Sequence, residues 1–365
     1  MKTQKFLLVV PLLLAAVLMA ACATPTPATT VAPVVPAVTE APVVATEAPP
    51  VVTEAPAKPF KVAVVAPSAK NDLAFSQSMY DALVNIQKEM GGESKFQFAF
   101  TENMFNVDDA NTAIRDYATQ GYDLVIAHGS QYGAGLAEIA PDFPKTAFAW
   151  GTTVDTFKDK GINNVFAYEA RSEQGGYVLG LMAAMLSKSH VLGEIGPIET
   201  GDAKLYIDGF KEGAESQDPK PNVQTLYTGS FSDTAKFAEA ANTQMSAGAD
   251  VLTGSSQAVV GAIGVAKDKG VLWFGTQSDQ SALAPDIVVA TQVYDWTVAL
   301  KDIIAKVQGG TLGGEAYSLT LANGGMKIVF NPAFKLPDDV KKAADDAIKA
   351  ISDGTIKIKA AEASK

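Results

Sequence analysis

The sequence predicts an α/β body of two doubly wound lobes, each a mostly parallel sheet with helices on both faces. Three observations predict it. Strand-length β-rich runs alternate with helix-period stretches from Phe60 onward, and the same rhythm repeats in the second half. About 300 residues remain for this body, more than one hydrophobic core usually serves.

The chain opens on a targeting signal. Two lysines in Met1–Lys5 precede an apolar run from Phe6 to Met19, then Ala20, Ala21 and Cys22. A basic start, an apolar run of about 14 residues and a small-residue cleavage site mark secretion. The run is shorter than the roughly 20 residues that cross a bilayer. Leu18-Met19-Ala20-Ala21-Cys22 resembles a loosened lipobox, in which the cysteine becomes a lipidated N-terminus. Cys22 is the only cysteine, so an internal disulfide is excluded and lipidation gives the thiol a use. An ordinary signal peptide with a chance cysteine is the alternative.

From Ala23 to Pro59, Pro, Thr, Ala and Val dominate, and Thr-Glu-Ala-Pro recurs at Thr39, Thr46 and Thr53. Proline at this density blocks both regular ladders, and no large side chain could build a core. Residues 22–59 are therefore expected to be a lipidated, extended tether that holds the body off the membrane. A proline-rich docking segment for another protein is the alternative.

In the body, strands are predicted at Phe60–Ala66, Phe96–Thr101, Leu124–Ala127, Thr146–Trp150 and Val165–Tyr168, with helices over Phe75–Met90, Asp108–Gln120, Gly133–Ala140 and Ser172–Lys188. Asp72 can cap the first helix, and Gly91-Gly92 ends it. The second half offers strands at Val191–Ile195, Gln224–Tyr227, Val251–Thr253, Leu272–Phe274 and Val288–Thr291. Its helices are expected at Ala203–Glu215, Thr234–Ala247, Ala258–Lys269, Trp296–Val307 and Lys341–Ile351. Gly176, Gly180, Ala183 and Ala184 give the apolar stretch Tyr177–Leu186 a small-residue face for close packing.

Ligands of such sheets bind beyond the carboxyl ends of the strands. That rule singles out Pro67-Ser68-Ala69, His128 to Tyr132, Trp150-Gly151-Thr152, Gly229-Ser230-Phe231, Gly254 to Gln257 and Thr276 to Asp279. These loops carry Gly, Ser, Gln and aromatic rings, a surface suited to a neutral planar ligand. Tyr132, Trp150 and Phe231 are the telling aromatics, each with a core role as the alternative.

Composition and motifs argue against chemistry. A net charge of −11 leaves no basic footprint for nucleic acid. Ser256 sits where a nucleophile elbow could, but that fold places the histidine after the serine, and both histidines, His128 and His190, precede it. Two distant histidines and one cysteine make no metal set, and no Gly-x-Gly-x-x-Gly follows the first strand. Asp108-Asp109 and Asp338-Asp339 open helices, where the dipole favours carboxylates. A non-catalytic binder without metal or cofactor is expected.

Several segments together resemble one family. Tyr177-Val178-Leu179-Gly180 after Ser172-Glu173-Gln174, Gly209-Phe210-Lys211-Glu212-Gly213-Ala214, Gly229-Ser230-Phe231-Ser232-Asp233, Gly248-Ala249-Asp250-Val251 and Ser278-Asp279-Gln280 are similar to motifs of the basic membrane protein family. These are the PnrA-like substrate-binding lipoproteins of ABC transporters, and the similarity runs over about Phe60–Asn331. The resemblance implies a type I periplasmic-binding-protein fold with three hinge crossovers, expected near Tyr168–Arg171, Gly275–Ser278 and Tyr317–Leu321. The lobes are then 60–168 plus 279–317 and 169–278 plus 318–335, with 1–21 as signal peptide and 336–365 as a last helix and tail.

The resemblance further implies a purine sandwiched by two phenylalanines, here Phe75, in Ala74-Phe75-Ser76-Gln77, and Phe231. Relatives hold ribose with an aspartate and a lysine where this chain has Gln277 and Tyr294. A glutamine holds hydroxyls less strongly than a carboxylate. Another branch, which binds the free base, has a pair like Asp295-Trp296. The expectation is therefore a purine base or similar heterocycle, with nucleoside next, gripped by hinge closure and read by Gln131, Gln257, Gln277 and Asp279. The implied partners are an ABC permease and ATPase, and the bilayer through Cys22 on the extracytoplasmic face. A sensor of the same fold, or a protein that binds a flavin, is the alternative.

Overall fold

The computed structural model describes residues 58–199, 201–217 and 219–359. The expected signal peptide, Cys22, the tether up to residue 57 and the tail beyond 359 lie outside them.

The first sheet is built from β1 (Phe60–Val65), β2 (Phe96–Thr101), β3 (Leu124–Ala127), β4 (Ala147–Gly151) and β5 (Val165–Ala170), with α1 (Phe75–Glu89), α2 (Val107–Thr119) and α3 (Gly133–Ile139) between them. The second uses β6 (Val191–Gly196), β7 (Asn222–Tyr227), β8 (Val251–Gly254), β9 (Leu272–Gln277) and β10 (Val288–Tyr294), with α4 (Ser172–Leu186), α5 (Gly201–Glu215), α6 (Thr234–Ser246) and α7 (Val259–Lys269). After them come α8 (Thr297–Gln308), β11 (Ala316–Leu319), β12 (Met326–Phe330) and α9 (Asp338–Ser352).

Strand order is β11-β5-β4-β3-β1-β2 in one sheet and β12-β10-β9-β8-β6-β7 in the other. All registered pairs are parallel except β10 with β12. In both sheets the order reverses beside the first strand, between β1 and β3 and between β6 and β8. A crevice opens at such points, where neighbouring loops leave in opposite directions.

The local signals act as the sequence suggests. Asp72 accepts from the Ala74, Ser76 and Gln77 amides, which are orphan donors at the start of α1. Asn106 caps α2, and Asp108 and Asp109 occupy its first turn. Each sheet buries apolar side chains on both faces, as a parallel sheet must. Val62, Val64, Leu124 and Ile126 pack with Met79, Leu83 and Ile86 of α1 and with Leu300 and Ile303 of α8. Val125 and Phe148 pack with Ile114 and Leu136 on the opposite face. In the second lobe Leu192 and Phe274 meet Leu179, Tyr206 and Phe210. Helix α9 lays Val340, Ala344, Ala347 and Ile351 into that same cluster, so the C-terminal helix belongs to the second lobe.

One expected crossover moves. Residues 275–278 do not leave the second sheet, because β10 pairs in parallel with β9 and antiparallel with β12. The chain instead changes lobes after Tyr294, where Trp296 and α8 enter the first-lobe core. The other passages lie between β5 and α4 and between β11 and β12. Residues 279–294 are therefore second-lobe residues, a correction to the expected boundary. Strands β11 and β12 are edge strands of four and five residues, too short to show a period.

A buried acid adds a pH signature. Glu194, on β6, is fully buried; its Oε2 accepts from Thr225 Oγ1 at 2.7 Å, while Oε1 has no partner. Burial pushes its pKa up to about 8. An unfolded chain ionises this group at the ordinary carboxylate value, whereas the folded chain keeps the proton. Its contribution to stability is complete at acid pH and is lost as pH rises towards 8, by up to about 1.4 kcal/mol per unit. Urea unfolding of wild type and Glu194→Gln across pH 5–9 should show the gap moving against wild type as pH rises. A pH-independent gap would refute the assignment.

Candidate functional site

The loops at the carboxyl ends of the two sheets face one cleft of about 260 Å³. The first lobe contributes Pro67 and Phe75 after β1, Phe105 after β2, Gly129, Ser130 and Gln131 after β3, and Thr152 after β4. The second contributes Ile198, Gly201, Asp202 and Ala203 after β6, Phe231 after β7, Gln257 after β8 and Gln277 at the end of β9. Thr152 and Gln277 adopt positive φ, 52° and 72°. Neither is glycine, so each stores backbone strain of the kind that concentrates at functional sites.

Phe75 is a positioned ring. It stacks on His128 with centroids 3.9 Å apart and planes 3° from parallel, and meets the edge of Trp296 at 6.1 Å. Full burial pulls the His128 pKa down to about 3, so the imidazole is neutral. With Nε2 3.2 Å from the Phe75 carbonyl and Nδ1 2.8 Å from Tyr168 Oη, the consistent tautomer carries its hydrogen on Nε2 and accepts from the tyrosine. One imidazole thus holds both the ring and the backbone of Phe75.

The second lobe grips the same turn. Ser278 Oγ donates to the Ala74 carbonyl at 2.7 Å, and Gln280 Nε2 donates to the Leu73 carbonyl at 3.2 Å. Gln280 Oε1 accepts from Trp273 Nε1 at 3.0 Å. The Ser-Asp-Gln segment therefore ties the lobes together beneath Phe75. Across the cleft, the Phe231 carbonyl accepts from Ser256 Oγ at 2.7 Å, which fixes its loop. Ser256 is spent on that contact and on the Ala258 amide.

Gln257 Oε1 and Gln277 Oε1 are buried without a partner in the protein. Buried polar atoms are almost always bonded, so two orphans lining one cleft suit a bound guest. Asp202, in the first turn of α5, accepts from Tyr294 Oη at 3.4 Å, and burial raises its pKa to about 6. It is the one ionisable side chain among the described lining residues, and no cation lines the cleft beside it.

Of the expected site residues, Phe75, Gln131, Phe231, Gln257 and Gln277 come together here. The others do not line the cleft, each for a local reason. Ser76 bonds Ser68 Oγ at 2.6 Å, and Gln77 turns back to the Leu73 amide. Tyr132 is core and donates to the Met104 carbonyl, while Trp150 lies on Phe157 with Nε1 on the Gly129 carbonyl. Asp279 is exposed and caps Ser281. Tyr294 and Trp296 are buried at the lobe crossing, Trp296 donating to Ser78 Oγ, and Asp295 pairs with Lys327 at 2.6 Å.

Sequence reasoning missed Phe105, Ile198, Gly201, Asp202 and Ala203. The rule that found the other loops, applied after β6, would have found the last four. Asp202 was hidden because an acid at a helix start reads as a cap.

Residues 60–362 match the family described as ABC transporter substrate-binding protein PnrA-like. Among similar proteins, a purine-binding protein of Brucella abortus (strain 2308) is 29% identical over 296 residues, 81% of this chain and 82% of that one. The ABC transporter nucleoside-binding protein BmpA of Lactococcus lactis subsp. cremoris (strain MG1363) is 26% identical over 309 residues, 79% of this chain and 87% of its own. A solved ABC transporter solute-binding protein of Conexibacter woesei superposes with a TM-score of 0.67 at 23% identity, covering 82% of this chain and 98% of that one. Two parallel-rich sheets joined by three passages are the periplasmic-binding-protein architecture that such solute-binding proteins share. The family is one of binding proteins rather than enzymes, and its members work outside the cytoplasm with a transporter as partner. This chain belongs to the PnrA-like family of ABC transporter substrate-binding proteins.

Proposed function

We propose that the protein captures a neutral purine, the free base before the nucleoside, between Phe75 and Phe231 and delivers it to an ABC permease by closure of its two lobes. The observation that carries this reading is the lining itself: Phe75 and Phe105 from one lobe and Phe231 from the other, three glutamine amides and a single carboxylate. Rings stack on the faces of a flat heterocycle, and amides donate or accept along its edge. The absence of a lysine or arginine among the described lining residues argues against phosphorylated ligands, whose charge would be buried unpaired.

The base is preferred because Gln277 stands where relatives resembling this chain carry the ribose-binding aspartate, while Tyr294 is buried and engaged by Asp202. A cleft of about 260 Å³ lies near the small end of ligand pockets, which fits a base better than a flavin. The names of the Brucella and Lactococcus proteins point the same way. Lipidation of Cys22 would hold the protein at the membrane beside its permease, which mass spectrometry of the mature N-terminus tests: a diacylglyceryl adduct supports the anchor and a free thiol removes it. Calorimetry of the detergent-purified full chain against adenine, guanine, hypoxanthine and their nucleosides tests the ligand class. Bases should bind about tenfold tighter than nucleosides, since Gln277 offers the ribose hydroxyls an amide in place of a carboxylate. No heat with any of the six would end the purine reading and leave the family assignment standing.

A further inference from the structure

We infer that Asp202 sets which purine edge the cleft accepts, its ionised carboxylate selecting a base that presents two adjacent N–H donors. This rests on the purine reading above and adds a residue that neither the motif resemblance nor the sequence rule picked out.

Asp202 opens α5 at the switch point of the second sheet, half-buried, with its side chain in the cleft wall. From β10 the Tyr294 hydroxyl donates to Oδ2 at 3.4 Å. Burial holds that phenol well above its ordinary pKa, so it stays a donor. From α4 the Ser172 hydroxyl donates to the Asp202 carbonyl at 2.5 Å and fixes the backbone. From β5 the Glu169 carboxylate is the neighbouring charge, and it opposes ionisation. The arginine at this crossing is committed: Arg171 pairs with Glu173 at 2.9 Å and reaches Glu169 at 3.9 Å. On α5 itself Lys204 pairs with Asp208.

The carboxylate is therefore held in place by neutral donors and has no cationic partner. An ionised carboxylate only accepts, through two oxygens spaced for a bidentate pair. The neighbouring polar groups, Gln131, Gln257 and Gln277, are amides that can donate or accept and so choose little. Guanine places N1–H beside the N2 amino group, a donor–donor edge that matches the carboxylate. Hypoxanthine offers N1–H with only a carbon-bound hydrogen beside it. The two bases differ by the amino group alone, so their affinity ratio reports the second bond.

The free carboxyl has its pKa raised to about 6 by burial, and the guanine complex needs the ionised form. Below that value a proton must leave on binding, so affinity for guanine weakens as pH falls and is flat above neutrality.

The experiment is calorimetry of the full chain with guanine and hypoxanthine at pH 7.5 and pH 5, on wild type and Asp202→Asn. At pH 7.5 wild type should favour guanine by about tenfold, the size of one charge-assisted hydrogen bond. Between pH 7.5 and pH 5 wild-type affinity for guanine should fall about tenfold, a change that needs no variant. Asp202→Asn should weaken both bases, guanine by about tenfold more than hypoxanthine, bringing the ratio to about one and removing the pH dependence. A ratio and a pH profile unchanged in Asp202→Asn overturn the assignment while the purine reading stands. Failure of wild type to bind either base overturns both.

Discussion

Alanine at Phe231 should weaken purine binding by about tenfold or more while leaving the melting temperature of the ligand-free protein within about a degree. Phe231 is only half-buried, and its loop is fixed through its backbone carbonyl by Ser256, so truncating the ring removes a stacking face and little else. Stacking on an aromatic ring contributes about 1–3 kcal/mol, which brackets that loss. Phe75 behaves differently. It is 5% exposed and belongs to the first-lobe core with Met79 and Trp296. Phe75→Ala should therefore lose both affinity and about 3 kcal/mol or more of stability, because a cavity opens beside His128. Calorimetry and urea unfolding on the same preparations separate the two. Equal affinity in wild type and Phe231→Ala would remove the sandwich.

The contrast between the two rings explains how much of the site could be read in advance. Loops after β1, β3, β7, β8 and β9 were identifiable because strand periodicity and the carboxyl-end rule act on local sequence. Phe231 and Gln257 could be placed by that route. The orientation of a ring at a strand end could not, since it depends on what the neighbouring element offers. Trp150 lies near the carboxyl end of β4 as expected, yet Phe157 and the Gly129 carbonyl draw its indole away from the cleft wall. Asp295 and Trp296 follow β10 in a motif that resembles a ligand-binding one, but the chain changes lobes at that point, which packs Trp296 into the core and pairs Asp295 with Lys327. The position of the change was illegible because Val288–Tyr294 reads equally well as the last strand of either sheet. Only the pairing of β10 with β9 and β12 decides it.

The same logic links the second lobe's core to the cleft. Asp202 is carried by α5 and the first lobe crossing by the start of α4, so the cleft wall is as accurate as the α4–α5 joint. That joint is built from glycine. Gly176 and Gly180 on α4 face Gly209 and Gly213 on α5, one turn apart on each helix, and the small-residue face of Tyr177–Leu186 announced half of it. A Cβ added at Gly180 would stand 1.9 Å from the Phe210 carbonyl oxygen, and one at Gly213 would stand 1.9 Å from that of Tyr177. At Gly176 and Gly209 the distances to backbone oxygen are 2.4 and 2.3 Å. A side chain could rotate away from such an intruder; a helix backbone must translate.

Gly180→Val and Gly213→Val should accordingly be the most damaging single changes in the molecule, each costing about 3 kcal/mol or more. The two helices would have to part, which uncovers Val178, Leu179, Tyr206 and Phe210, all buried in one cluster. Gly264 supplies the control. It is an exposed glycine within α7, and a Cβ there meets nothing within 4 Å, so Gly264→Ala should stabilise by up to about 1 kcal/mol through helix propensity alone. Urea unfolding of the three variants reads the difference directly. The milder Gly180→Ala goes further: if the joint sets the cleft wall, it should weaken ligand binding as well as stability although residue 180 touches no ligand. Gly180 variants with wild-type stability would mean that the helices separate freely, and the rigid seat assigned to Asp202 would go with them.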